Sequence, residues 1–183
     1  MQRYSDFVDR VFLAEGLFRK LIPSDVTDRE VWRRVRDADD AAIVNGAAIE
    51  NPKAFPLIRG ALLYAMDDLP GCHRYFQDEP GDLASYWHGM MHRREGDFDN
   101  ARYWFRRAGS LPFFDKLQSE ASAFSGDVAK QLSWDPYLFT GMCEQNRFGA
   151  EDESGELPRL QATEFEVAFD YTWRQAKIGK AKD

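Results

Sequence analysis

His88 and His92 stand one helical turn apart, and Glu95 follows three residues later. On an α-helix these side chains share one face. Two imidazoles at that spacing can hold a divalent metal, and a carboxylate can serve as a third ligand. The remaining histidine, His73, lies just upstream, so all three histidines of the chain fall within one short stretch. A metal held by His73, His88, His92 and Glu95 would activate a bound water or polarise a substrate oxygen. The zinc-protease HExxH mechanism is excluded, because Gly89 stands where its glutamate would be. The same imidazoles would also suit a purely structural role, bonding Asp97, Asp68 or backbone groups at a tight helix junction.

A second constellation is cationic. Arg93, Arg94, Arg102, Arg106 and Arg107 crowd the same region, and Arg102 and Arg106 are one turn apart. Guanidinium forks bind planar oxyanions bidentately, which suits a carboxylate or phosphate. With Trp87 and Tyr103 as aromatic walls, Arg93, Arg94, Arg102 and Arg106 would line a groove for a small acidic ligand or peptide. The competing account pairs these arginines with Glu95, Asp97 and Asp99 on a solvated surface, where each pair contributes little. Trp87, Met90, Met91, Tyr103, Trp104 and Phe105 read first as packing residues. The chain has no phosphate-cradling glycine loop, GxSxG elbow or Cys/His nucleophile pair.

The elements that must position these residues read as helices. Leu83–Glu95 and Asp97–Ala108 form a helical hairpin with Gly96 as the break, inside the stretch Ser85–Pro112. Upstream, apolar spacing predicts a helix over Asp6–Leu21. Thr27 and Glu30 form a capping box for a second helix that reaches Ala48, with a break at Asn45-Gly46. Asn51-Pro52 starts a helix to about Leu69 that tolerates Pro56 in its first turn. Pro70-Gly71 stops it, and Cys72–Gln77 is a short helical turn. Downstream, helices are expected over Pro112–Phe124, Asp127–Leu132, from Asp135-Pro136 onward, and over Leu157–Ala176. Gly149–Gly155 is a polar loop and Lys177–Asp183 a frayed tail. Asn100, beside Asp97, reads as a cap for the second hairpin helix. No segment alternates with period two between hairpin turns, so the expected fold is all-α, a single-domain helical bundle with this hairpin at its centre.

Composition bounds the function. With 183 residues and a net charge of −7, the chain is large enough for its own core and lacks the positive surface that nucleic acid demands. No apolar run approaches the ~20 residues that span a bilayer. Cys72 and Cys143 lack metal-type spacing and read as buried free thiols. MQRYSDFVDR lacks the pattern of a signal peptide, so a cytoplasmic location is expected.

The hairpin resembles a tetratricopeptide unit. Gly89 matches the small residue of close helix approach, and Ala101, Phe105 and Ala108 follow the family's small-aromatic-small spacing. Pro112 lies near its closing proline. His92 stands near the family's usual tyrosine, and one such unit is visible, so the other helices must supply the packing. MDDLPGCHRYFQ followed by YWHGMMHRREGDFDNARYWFRR also resembles an uncharacterised family of small helical proteins with a WHxxxHRREGD-type signature. That resemblance implies kinship and no mechanism. Its members often carry a histidine-proline pair after the second helix, where this chain has Leu111-Pro112. Two functions follow from the residues. One is a non-enzymatic binding module for a small acidic ligand or peptide. The other is a metal-dependent enzyme using His73, His88 and His92, with a divalent metal as cofactor. A subunit role in a larger assembly is a third.

Overall fold

Aspartates and prolines mark where the helices begin. Asp39, Asp68, Asp97 and Asp135 each accept a backbone N–H from the first turn that follows, and Pro70 and Pro136 occupy first-turn positions where a missing donor costs nothing. The structure, a computed structural model, describes residues 4–147 and 155–179. Among these are α1 (Asp6–Phe12), α2 (Arg29–Asp37), α3 (Asp40–Ile43), a 3-10 turn (Pro52–Ala54), α4 (Phe55–Ala65), α5 (Leu69–Asp78) and α6 (Asp82–Glu95). There follow α7 (Phe98–Ala108), α8 (Phe114–Ser122), α9 (Gly126–Ala129), α10 (Pro136–Gln145) and α11 (Glu156–Gln175). No strand occurs among the described residues, and the fold is all-α. No helix among them is long and apolar enough to cross a membrane.

One hydrophobic core runs through the helices. Nearly every residue of α4 is buried, and it packs against α2, α5, α6 and α11. Helix α6 is buried almost all round, from Ala84 to Arg94, so it too is a central element. Among the described residues, α6 and α7 make the most extensive helix–helix contact. Their close approach depends on Gly89, where an added Cβ would lie 2.7 Å from two ring atoms of Phe105. Phe105 is itself buried and cannot swing away. Gly89→Ala should therefore destabilise the fold by about 1–3 kcal/mol, despite alanine's better helix propensity, and a lowered Tm would show it.

Several elements depart from the sequence reading. Helix α1 ends at Phe12, and Phe18 takes a left-handed φ of 60°, so Asp6–Leu21 is not one helix. The cap of α2 is Asp28, which accepts from Glu30 and Val31; Thr27 instead donates to Asp67 across the fold at 2.5 Å. The break after α2 falls at Ala38, whose backbone is extended. Helix α4 ends at Ala65 and not at Pro70-Gly71, which lie in the first turn of α5. The expected fray does not begin at Lys177: Ile178 pairs with Ile49, and the Gly179 N–H donates to Ala48, while residues 180–183 of the expected tail lie outside the described residues. Most of the expected Gly149–Gly155 loop lies outside the described residues.

Candidate metal centre

Helices α5 and α6 bring the three histidines together. The turn before α5 is held by Asp67, which has a left-handed φ of 63°. Its carboxylate accepts from Arg94 of α6 at 2.5 Å and from Thr27. Arg94 also donates to the Tyr64 and Lys20 carbonyls, each at 3.1 Å. Next along the chain, Asp68 caps α5 through the Gly71 N–H and accepts the indole N–H of Trp32 at 2.8 Å. A Cβ on Gly71 would press on that carboxylate, so a larger residue there would displace the cap. His73 follows on α5, fixed in register with α6. On the far side, Arg93 pairs with Glu164 of α11, which also accepts the hydroxyl of Tyr86. His92 thus precedes two buried arginines that anchor its helix to two different parts of the core.

One nitrogen from each of His73, His88 and His92 lies within 4.8 Å of the others. The ring centroids are 4.7 Å apart for His73–His88 and His88–His92, and 5.2 Å for His73–His92. A tetrahedral ion with nitrogens at about 2.0–2.1 Å holds them roughly 3.3 Å apart, so loading closes the triangle by at most about 1.5 Å per edge. His73 is only half-buried and has room to adjust.

His88 is 2% exposed and stacks on Trp104 of α7 with centroids 3.9 Å apart. Neither of its nitrogens has a hydrogen-bond partner among the described residues. A buried imidazole left this way loses its hydration with no return. Burial, reinforced by the neighbouring His92 and His73, pushes the His88 pKa down to about 3. Burial also lowers that of His73, with His92 adding to it. Both rings are therefore neutral at neutral pH, the form that coordinates metal.

His92 is held at Nδ1 by Glu95, and the Asn100 amide lies over its ring face. Glu95 approaches Nδ1 at 3.0 Å, and the side-chain amide of Asn100 approaches Nε2 at 3.1 Å. Glu95 was expected as a metal ligand; its carboxylate instead sits on the ring of His92, and it does not join the three histidines within their shared distance. In that position it would orient the imidazole of a metal-binding histidine. Glu95 also borders a cleft of about 540 Å³ between the Pro23–Val26 segment and the start of α5.

The arginine groove does not form. Arg93 and Arg94 are 1% and 0% exposed and are occupied by Glu164 and Asp67, so they bind the core and not a ligand. Trp87 is fully buried, its indole N–H donating to Thr172 at 3.0 Å. Arg102 pairs with Asp99 and Glu144. Tyr103 is exposed beside Arg107, and Arg106 is exposed on a separate groove of about 500 Å³ that includes Trp134 and Tyr137. Asn100 and Trp104 were not read as site residues from sequence. Asn100 does not cap α7 with its side chain; Asp97 does, accepting the Asn100 N–H. No pattern in the sequence would have placed that amide on His92.

Comparison with protein-family models, with curated proteins and with solved structures returned no match.

Proposed function

We propose that the protein binds a divalent transition metal at His73, His88 and His92 and uses it in a metal-dependent reaction. The observation that carries this reading is His88, a buried imidazole with two unpartnered nitrogens facing two further histidines. An ion would satisfy one of those nitrogens. Three protein nitrogens with a fourth position open are the arrangement of catalytic rather than structural zinc. A metal in that state supplies an activated water or Lewis acidity toward a carbonyl or phosphoryl oxygen. Imidazole donors suit zinc, copper, nickel or iron better than magnesium or calcium. Glu95 fixes the His92 tautomer, and the Arg93 and Arg94 anchors hold the α6 ligands in place.

The test is elemental analysis of purified protein, followed by titration of the chelator-treated protein with Zn²⁺ or Co²⁺. Near-stoichiometric metal, or a saturable rise in Tm of several degrees that Mg²⁺ does not produce, is the expected result. Absence of both would overturn the reading.

The acidic-ligand reading retains one foothold, at Arg106. This exposed guanidinium has no ion-pair partner among the described residues and borders the groove with Trp134 and Tyr137. A weak, salt-sensitive carboxylate site at Arg106 would leave metal binding untouched.

A further inference from the structure

Asn100, Trp104 and Arg107 stand at i, i+4 and i+7 on α7 and share one stripe of that helix. Two of them rest on the histidines. The Asn100 amide lies over the His92 ring, and the Trp104 indole stacks on His88 with centroids 3.9 Å apart. Arg107 is the next step along the stripe. Its guanidinium carbon lies 5.3 Å from the Trp104 ring centroid, and so, with the two separations laid end to end, no more than about 9 Å from the His88 ring. Arg107 is exposed, donates to the Tyr103 hydroxyl at 3.4 Å and has no ion-pair partner among the described residues. Burial marks the side from which the cluster is reached. His88 and His92 are buried, whereas His73 and Trp104 are half-buried, so solvent meets the cluster past those two rings.

We infer, on the basis of the metal-site reading above, that the substrate of this site carries an oxyanion, a phosphate or carboxylate, and that Arg107 binds it. Guanidinium forks hold such groups through two N–H donors, and Arg107 has donors to spare. The neighbouring arginines do not: Arg93, Arg94 and Arg102 are each paired with a carboxylate. Arg106 borders a separate groove. The carboxylates that act on His73 are Glu95 and Asp78, and Glu95 is already engaged with His92. An incoming anion therefore finds its counter-charge at the last turn of α7. The cation–π contact with Trp104 keeps the Arg107 side chain beside the entrance, where an exposed arginine would otherwise sample many directions. Arg107 orients the substrate and transfers no proton.

The test uses Co²⁺-loaded wild type, Arg107→Gln and Arg107→Lys. Each is titrated with inorganic phosphate and, separately, with acetate while the visible absorption of the cobalt ion is followed. Wild type should show a saturable spectral change, and the anion that binds more tightly identifies the group as phosphate or carboxylate. Arg107→Gln should weaken that binding by about five- to twentyfold, through loss of a charge-assisted hydrogen bond. Its Co²⁺ affinity and anion-free spectrum should match wild type. Arg107→Lys, which keeps the charge without the fork, should fall between the two. An anion Kd unchanged in Arg107→Gln would overturn the proposal, as would a wild-type cobalt spectrum that neither anion alters. Weakened Co²⁺ binding in Arg107→Gln would overturn it too, because the residue would then act by holding Trp104 on His88. Wild type that takes up no Co²⁺ would overturn the metal-site reading and this inference together.

Discussion

Replacing His88 with leucine is expected to raise the Tm of the metal-free protein while abolishing its response to Zn²⁺ or Co²⁺. The two effects have opposite signs because His88 has opposite consequences in the two states. Without an ion, its unpartnered nitrogens are held at 2% exposure, and an unmade buried hydrogen bond costs about 1–3 kcal/mol. Leucine is of similar bulk and brings no polar atom. It forfeits the stacking on Trp104, which is worth about 0.5–1.5 kcal/mol, so the net gain is a few degrees at most. With an ion, wild type gains about 2.7 kcal/mol at a concentration one hundred times its Kd, and the variant gains none of it. Differential scanning calorimetry on chelator-treated and metal-loaded samples measures both halves. A lower metal-free Tm for His88→Leu would show that the imidazole is satisfied and structural. A retained metal response would remove His88 from the site.

Much of the helical layout was legible because its signals are local. Asp135-Pro136 announced α10, Gly96 announced the α6–α7 break, and the apolar spacing of Leu157–Ala176 matched α11 to within a residue at each end. Errors arose where a tertiary partner took over a residue with a local role. Thr27 reads as a cap from its neighbours, yet its hydroxyl bonds Asp67, forty positions away. Asn100 reads as a cap from Asp97, yet its amide goes to His92. The histidine cluster was legible because two of its members share one helix face; that His73 would join them depended on how α5 packs on α6. The arginines misled for the converse reason. Two consecutive arginines cannot both be read as surface residues when the helix is buried all round, and sequence alone did not reveal that α6 was such a helix. Glu164, a carboxylate among the apolar positions Leu157, Leu160, Phe165 and Ala168 of α11, was the signal that a buried cation had to exist.

Replacing Arg94 with methionine is expected to cost about 3–5 kcal/mol, the largest single effect among these variants. Arg94 is 0% exposed and donates to Asp67, the Tyr64 carbonyl and the Lys20 carbonyl. Its removal leaves the Asp67 carboxylate buried with the Thr27 hydroxyl as its remaining hydrogen-bond partner among the described residues. Two carbonyls lose donors at the same time. The coupled variant Arg94→Met/Asp67→Asn separates charge from shape. Asparagine tolerates the left-handed φ of 63° at position 67, remains able to bond Thr27, and carries no charge to strand. The double variant should therefore recover a substantial part of the loss, a coupling that chemical denaturation of all four proteins reads directly. Asp67 stands at the turn that opens α5, so this pair also fixes His73 against His88 and His92. Metal affinity should accordingly fall in Arg94→Met even at temperatures where the variant remains folded, and return in part with Asp67→Asn. If stability fell while affinity stayed at the wild-type value, the register of α5 on α6 would rest on the remaining contacts of α4 and α5, and the buried ion pair would be a stabilising feature with no hold on the site.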